Sequence, residues 1–384
     1  MFGQISLVGF CLIVVASIFN ANSHQVSKST EVLTKVLLKA TLEDRSNYAT
    51  APLCASVILG LLAEGADSIN RKEILEAIGV NELEKEAYKK ILTSVKEIPS
   101  YGSSHVSIKN FMYVYKNYSI SKSFSELAEE YYLTSVKSVE RPDLMARNIL
   151  PKEDTSVFKQ HAMLIFNGFS FDMNWPITSF HKTSVSWDGN VVKAFGAAGN
   201  FEIGYVPEID STAFKLPYRN TDYNLLILLP KTKYTLDDVL KNLPENLIPD
   251  ITKTLTSKPA FVTLPCFENN NITSFKSVLQ KNTGLKNIFT ESMDFSKIST
   301  DKLYLDDMVQ QAGMNLCIDR SSAYSLTSSA LAAQRVIKES IVVDKPFVFI
   351  LYDEPNNIIL VAGKVEQPFY EEDNIDKNSD SEKN

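Results

Sequence analysis

The side chains that most often carry catalysis are sparse in this chain. The four histidines are His24, His105, His161 and His181, and no pair of them has the spacing of metal ligands. The sequence contains no glycine-rich phosphate loop, no H-E-x-x-H pair and no G-x-S-x-G turn. A Ser, His and Asp triad could be assembled only from distant positions, and an isolated histidine at a strand edge is more often structural. We therefore expect no enzyme, no metal and no cofactor.

The cysteines do not form a disulfide pattern. Cys11 lies in an apolar N-terminal stretch, which leaves Cys54, Cys266 and Cys317, widely spaced and odd in number. Such a set predicts no disulfide framework. A chain of 384 residues with 44% hydrophobic residues can instead be held by a large apolar core.

The N-terminus has the pattern of a secretory signal peptide. Residues 5–19 are almost wholly apolar, and Ala21-Asn22-Ser23 places small residues at the positions that precede a cut after Ser23. The alternative is a membrane anchor, since the only positive charge before the apolar stretch is the terminal amine. The stretch is short for a span of about 20 residues, so we favour a signal peptide over 1–23 and a secreted, extracellular protein of body fluid or gland secretion.

Charge and sequons agree with that compartment. Lys and Arg number 39 against 46 Asp and Glu, a net charge of -7 without a basic run, so we expect no nucleic-acid or membrane partner. We also expect a monomer. Secretion predicts glycosylation at Asn117 and Asn271, each of which begins an acceptor tripeptide.

The apolar pattern predicts an α+β domain with a helix-rich first third. Between two strand-like segments, residues 319–339 form a polar stretch longer than ordinary connections. Residues 369–384 are acidic and polar and are expected to be a disordered tail. Helices are predicted over 32–42, 57–63, 70–78, 83–95, 123–132, 236–243 and 274–282, and strands over 106–115, 162–171, 211–216, 223–229, 261–264, 341–351 and 358–365.

Short motifs in these segments resemble the serpin family, in particular secreted insect-type serpins. They follow one another in the family's order over nearly the whole chain after the signal peptide, and six matches in order are far more specific than one. The matching stretches are Asn47–Ser56 with Gly65-Ala66, Asn167–Phe171 with Trp175, Leu216–Tyr218 with Leu225–Pro230, Leu264–Phe267, Asp344–Phe349 and Gly363–Val365.

The resemblance implies one serpin domain over 24–368, with three β-sheets, about eight or nine helices and an exposed reactive loop at about 319–340. In the family's inhibitors a serine protease cleaves that loop. The loop then inserts as a new central strand of the largest sheet and carries the acylated protease with it.

The resemblance also locates the reactive bond. Counting back from Pro346 gives Arg335, whereas counting forward from the stretch Leu305–Ala312 gives Gln334. We choose the bond between Arg335 and Val336, because an arginine fits the acidic specificity pocket of a trypsin-like protease. Lys338 nearby could serve instead.

Three features depart from the inhibitory pattern. The hinge is formed by Asp319, Arg320, Ser321, Ser322, Ala323 and Tyr324. Its glycine position is occupied by Arg320, or by Ser321 in the other register, and Tyr324 and the nearby Leu326 replace alanines. The family's sheet-opening cluster corresponds to Cys54, Asn167 and Gln310. Only Asn167 is kept, since Ala51 and Cys54 occupy serine positions and Gln310 occupies the histidine position, which predicts that hydrogen bonding is partly replaced by apolar packing. The helix expected after residue 139 is shortened.

Two functions follow from this comparison. The leading hypothesis is a secreted inhibitor that presents Arg335 to a trypsin-like serine endopeptidase. The alternative is a non-inhibitory serpin, a binding, carrier or decoy protein, because the hinge, the cluster and the helix depart from the inhibitory pattern.

Overall fold

The structure is a computed structural model that describes residues 23–98, 105–140, 145, 163–172, 181–218, 221–316 and 339–368. Within these ranges, the helices are α1 His24–Lys39, α2 Pro52–Gly65, α3 Ser68–Ala77, α4 Lys85–Lys96, α5 Lys122–Tyr132, α6 Leu236–Lys241, α7 Leu247–Thr252 and α8 Phe275–Asn282. The strands are β1 Tyr48–Thr50, β2 His105–Tyr115, β3 Thr134–Val139, β4 Met163–Asp172, β5 His181–Trp187, β6 Asn190–Val206, β7 Ser211–Pro217, β8 Tyr223–Pro230, β9 Thr256–Pro265, β10 Phe267–Ser274, β11 Leu305–Leu316, β12 Glu339–Val342, β13 Phe347–Asp353 and β14 Ile358–Val365.

The central helix α2 is buried along nearly its whole length. Its sequence is apolar on all sides, so it packs on the sheets and on α1 rather than facing water. Pro52 begins the helix, at the position where a missing N–H is tolerated. Gly65 ends it, and a Cβ there would lie 2.4 Å from a side-chain carbon of Ile298, so this close approach requires glycine.

The described strands form two sheets. One has five strands in the order β10-β11-β4-β2-β3, and the other has nine, in the order β1-β14-β13-β8-β7-β6-β9-β12 with β5 also paired to β6. β5 pairs with the first half of β6 and β7 with its second half. If the nine-stranded sheet is divided at β6, the architecture corresponds to the three sheets that were expected.

Apolar strands from both sheets and the buried helices supply the core. The largest cluster combines α2 with inward-facing residues of the five-stranded sheet and with β13 and β14, whose side chains are almost entirely buried. Cys54 and Cys266 are both buried in this core. Among the described residues, no helix is long and apolar enough to cross a membrane.

Several elements differ from their predicted bounds. The stretch 341–351 is not one strand, because β12 and β13 belong to different parts of the nine-stranded sheet and are separated at Pro346, which has no N–H for a ladder. The first helix begins at His24, eight residues before its predicted start at Val32. Strands β1, β3, β5, β6, β10 and β11 and helix α7 were not predicted. The signal segment before Ser23, the shortened helix apart from Met145, and the tail lie outside the described residues.

Candidate functional site

A row of polar residues crosses the five-stranded sheet from edge to edge. Backbone register places Thr273 of β10 opposite Gln310 of β11, Gln310 opposite Asn167 of β4, Asn167 opposite Asn110 of β2, and Asn110 opposite Thr134 of β3. We call these five residues the polar row. The four from Gln310 to Thr134 are buried, each no more than 3% exposed, so each polar atom there needs a partner.

Gln310 uses both ends of its amide. Its Oε1 accepts hydrogen bonds from Thr50 Oγ1 at 2.8 Å and from the Ala51 N–H at 2.7 Å. Its Nε2 donates to the Ala51 carbonyl at 3.0 Å and to Asn167 Oδ1 at 2.9 Å. The glutamine therefore ties β11 both to β4 and to the residues that lead into α2.

The network continues across β4 and β2. Asn167 Nδ2 donates to Asn110 Oδ1 at 2.5 Å, and Asn110 Nδ2 donates to the carbonyl of Tyr132 at 3.3 Å. That carbonyl, at the last residue of α5, also accepts from Thr134 Oγ1 at 3.0 Å. The chain of bonds thus runs from the start of α2 to the end of α5 through three neighbouring strands.

Cys54 lies beside this network in the first turn of α2. A helix N-terminus ordinarily lowers a thiol pKa, but here complete burial raises the pKa of Cys54 to about 12, and a hydrogen bond with Asn167 opposes that shift. The thiol is therefore a neutral packing group at physiological pH. Asn167 contacts both Cys54 and Gln310, so the structure brings together the three residues of the sheet-opening cluster.

The cluster remains hydrogen-bonded, although its residues differ from the family pattern. The sequence predicted that apolar packing would replace part of the hydrogen bonding. Both replaced residues keep polar contacts, because Cys54 bonds to Asn167 and Gln310 makes four hydrogen bonds where a neutral imidazole offers one donor and one acceptor. Gln310 therefore connects β11 to the entry of α2 and to β4 through side-chain hydrogen bonds.

The polar row lies where the two central strands meet. β4 and β11 are paired directly and in parallel, from Met163 opposite Leu305 to Phe171 opposite Met314, with one irregularity near Asp307. β11 continues to Leu316, and the chain next enters a described strand at Glu339, the start of β12 in the other sheet. Residues 317–338, which include most of the predicted reactive loop, therefore connect the two sheets along the chain.

The predicted reactive bond and hinge lie outside the described residues, which end at Leu316 and resume at Glu339. The two sequons lie inside them and differ in setting. Asn117 is exposed in the turn after β2. Asn271, on β10, is partly buried, donates from Nδ2 to the carbonyl of Asn47 at 3.1 Å, and accepts the Ala49 N–H at 2.8 Å.

Sequence reasoning missed Asn110, Thr134 and Thr50 as members of this site. A signal exists for Asn110, because it is the polar residue on a strand face that otherwise carries Val106, Ile108, Met112 and Val114. Thr134 and Thr50 give no such signal, since their role depends on strand register and on the approach of α2.

We compared the sequence and the fold with those of known proteins. A family profile described as "Serpin (serine protease inhibitor)" matches residues 28–149 and 147–368. Chicken (Gallus gallus) neuroserpin is 22% identical over 369 residues, covering 86% of this chain and 88% of that protein. Serine protease inhibitor 42Dd of Drosophila melanogaster is 23% identical over 356 residues, covering 84% and 91%.

Solved structures agree on the fold. Serpin-12 of Manduca sexta has a TM-score of 0.75 at 20% identity, covering 89% of this chain and 98% of that one. Uncleaved ovalbumin has a TM-score of 0.78 at 16% identity, covering 90% and 99%. With the profile matching most of the chain and the sheets arranged as described, this protein belongs to the serpin family.

Proposed function

We propose that this serpin is a secreted inhibitor of a trypsin-like serine endopeptidase, cleaved between Arg335 and Val336. The observation that carries the proposal is the direct parallel pairing of β4 with β11. Because the chain leaves the end of β11, a segment that folded back between these two strands would run antiparallel to both. Each of its N–H and C=O groups could then join a ladder on either side.

The loop is long enough for that insertion. Nineteen residues lie between Leu316 and the carbonyl of Arg335, counting 317 to 335, and β11 itself has 12. Seven residues remain for the turn at the top and the exit at the bottom. A fully inserted segment would carry Arg335 along the length of β11, roughly 40 Å at about 3.3 Å per residue.

Trapping of the protease requires that this displacement be faster than hydrolysis of the acyl-enzyme. Attack of the protease serine on the carbonyl of Arg335 forms an acyl-enzyme and releases the amine of Val336. The permanently charged, planar guanidinium of Arg335 matches a specificity pocket that contains a carboxylate. Displacement then separates the acyl group from the water-activating geometry that the second step needs.

A non-inhibitory role is the second candidate, and two observations favour it. Arg320 and Tyr324 replace small hinge residues, and burying Tyr324 between strands requires a partner for its hydroxyl. The four bonds of Gln310 must also be rearranged if β11 moves away from β4 and α2. Slow insertion would let the protease complete hydrolysis, and the protein would then act by binding.

The test is incubation of the purified mature protein with trypsin, followed by denaturing electrophoresis and intact mass. We expect an adduct that survives denaturation, together with release of residues 336–384. Clean cleavage with no adduct and no gain in thermal stability would contradict inhibition and leave the binding role.

Two matched variants locate the bond. Arg335→Ala should abolish adduct formation with trypsin, whereas Lys338→Ala should leave it unchanged. The reverse result would move the reactive bond to Lys338. A released fragment that begins at Arg335 would move it to Gln334.

Secretion is tested by the same preparation. We propose cleavage after Ser23 and a glycan on Asn117, whose exposed turn is open to a sugar, and none on Asn271, whose amide is engaged with Asn47 and Ala49. Protein expressed through a secretory pathway should begin at His24, and Asn117→Gln should lower its mass by one glycan. Asn271→Gln should leave the glycan mass unchanged, so a loss there would contradict this assignment.

A further inference from the structure

A cavity away from the polar row lies between α4 and the ends of three strands of the nine-stranded sheet. Its volume is about 270 Å³, close to the lower end of the range for small-molecule sites. Side chains from α4, β8, β13 and β14 line it, including Ala87, Ile91, Val95, Leu360, Asp353 and Tyr223. Ser23, which the proposed cleavage removes, also borders the cavity.

One wall of the cavity is apolar. Ala87, Ile91 and Val95 follow one another at intervals of four, so they form a single stripe on α4. All three are buried, and Leu360 of β14 lies among the lining residues with no exposure. This wall suits the hydrocarbon part of a ligand.

The other end of the cavity is polar, and two of its oxygen atoms have no hydrogen-bond partner among the described residues. Asp353 ends β13 and lies opposite Tyr223, the first residue of β8. Asn356 Nδ2 donates to Asp353 Oδ2 at 2.6 Å, which leaves Oδ1. Within the described ranges, neither Oδ1 of Asp353 nor the hydroxyl of Tyr223 has a hydrogen-bond partner, although Tyr223 is only 8% exposed. Both side chains line the cavity, so a donor that enters it could bond to these two oxygens.

The charges around the cavity favour a cationic ligand. Asp353 and Glu86 are acidic lining residues and Lys90 is the basic one. Burial is the main cause of the raised pKa of Asp353. Asp222 raises it further, whereas the Asn356 bond and Lys90 lower it. Among the lining side chains, two carboxylates therefore accompany one ammonium group, and a bound cation would balance the second carboxylate.

We propose that this cavity binds a small amphipathic amine. Its ammonium group donates to Asp353 Oδ1 and to the oxygen of Tyr223, and its aromatic or branched apolar body packs against Ala87, Ile91 and Val95. The proposal is independent of protease inhibition, because the cavity shares no residue with the polar row or the reactive loop.

The first test uses phenethylammonium as the probe, titrated calorimetrically into the mature protein at pH 7.5. Two probes of similar shape serve as controls, the neutral 2-phenylethanol and the anionic 3-phenylpropionate. We expect one saturable site for the ammonium, with affinity about tenfold or more above either control, as a charge-assisted hydrogen bond provides. No saturable binding, or preference for the anion, overturns the proposal.

Variants connect the binding to the cavity. Asp353→Asn keeps the shape and removes the charge, and should weaken phenethylammonium binding about tenfold. Asp222→Asn removes a nearby charge from a residue that does not line the cavity, and should change the affinity by less than about threefold.

A third variant tests the site by a change at an exposed residue, which is unlike the change at Asp353. Ser94 is an exposed lining residue on α4, so Ser94→Trp should fill the cavity mouth with little cost to folding and abolish binding. Circular dichroism and the melting temperature show whether each variant folds. Unchanged affinity in folded Asp353→Asn, or in folded Ser94→Trp, contradicts the site.

Discussion

At the residue scale, Gln310 connects the central strands of the five-stranded sheet to each other and to the residues that lead into α2. The side chain satisfies two donors and two acceptors from β4 and the entry to α2. A glutamine does not titrate, so the connection that it makes has the same protonation state at every physiological pH. A histidine at that position would change charge near neutrality.

We expect Gln310→Ala to lower the free energy of unfolding by about 3 kcal/mol, because it leaves several buried polar groups without partners. The neighbouring Gln311 provides the matched control, since it faces the exposed side and bonds to Asn270 Oδ1 at 3.2 Å. Gln311→Ala should cost about 0.5 kcal/mol or less. Urea unfolding of the uncleaved proteins measures both, and equal losses would show that the amide network is not a major support.

At the scale of elements, the proposed inhibition would make the composition of the predicted hinge decisive, because β4 and β11 are paired directly. The inserted hinge would have to pass between two strands that are already joined, so every large side chain delays it. Tyr324 presents two separate obstacles, its volume and its hydroxyl.

Two substitutions separate these obstacles. Tyr324→Ala removes both and should lower the number of serpin molecules consumed per protease trapped. Tyr324→Phe removes the hydroxyl alone, so an equal improvement would assign the delay to desolvation. Titration of trypsin activity measures this ratio, and an unchanged ratio in both variants would place the slow step elsewhere.

The same scale shows what could be predicted from sequence. β8, β13 and β14 are continuous apolar runs, and their strand character is evident because both faces are buried. β10 was missed because its sequence, FENNNITS, is rich in asparagine; it is a strand through its ladder to β11, where pairing overrides propensity. β6 was missed because Gly196, Ala197, Ala198 and Gly199 interrupt its alternation.

In the candidate site, too, some features could be predicted from the sequence and others could not. Family motifs located Asn167 and Gln310, and the structure brings them together. The hydrogen bonds of Gln310 with Thr50 and Ala51 could not be inferred, because they depend on where α2 approaches β11 in space. Residue type gave the position, whereas the partners required the register and the packing of elements distant in sequence.

At the scale of the whole molecule, buried carboxyl groups set how stability depends on pH. Burial raises the pKa of Glu31, Asp307 and Asp353 above their ordinary values. The folded state therefore holds these protons to a higher pH than the unfolded state does. Between the two pKa values, stability increases as pH falls.

We expect a higher urea midpoint at pH 5 than at pH 7.5, with a decline below about pH 4. Asp301 is an example of an exposed carboxyl group whose pKa is lowered by the hydrogen bonds that it accepts from Ser119. Below about pH 4 such groups begin to be protonated, and the stability that these bonds contribute is lost. Asp307→Asn preserves acceptors for the N–H groups of Lys276 and Met308 and cannot titrate. This variant should reduce the difference between the urea midpoints at pH 5 and pH 7.5. An unchanged difference would show that Asp307 does not contribute to the pH dependence of stability.

The strand order also determines when this protein can fold during its synthesis. β14 lies between β1 and β13, and β13 pairs with β8, so the last described strands occupy the interior of the nine-stranded sheet. A nascent chain that has already exposed β1 and β8 cannot join them until residues 347–365 leave the ribosome. The edges of β1 and β8 therefore stay unpaired until β14 has been translated, and such edges are open to pairing with other chains during that interval.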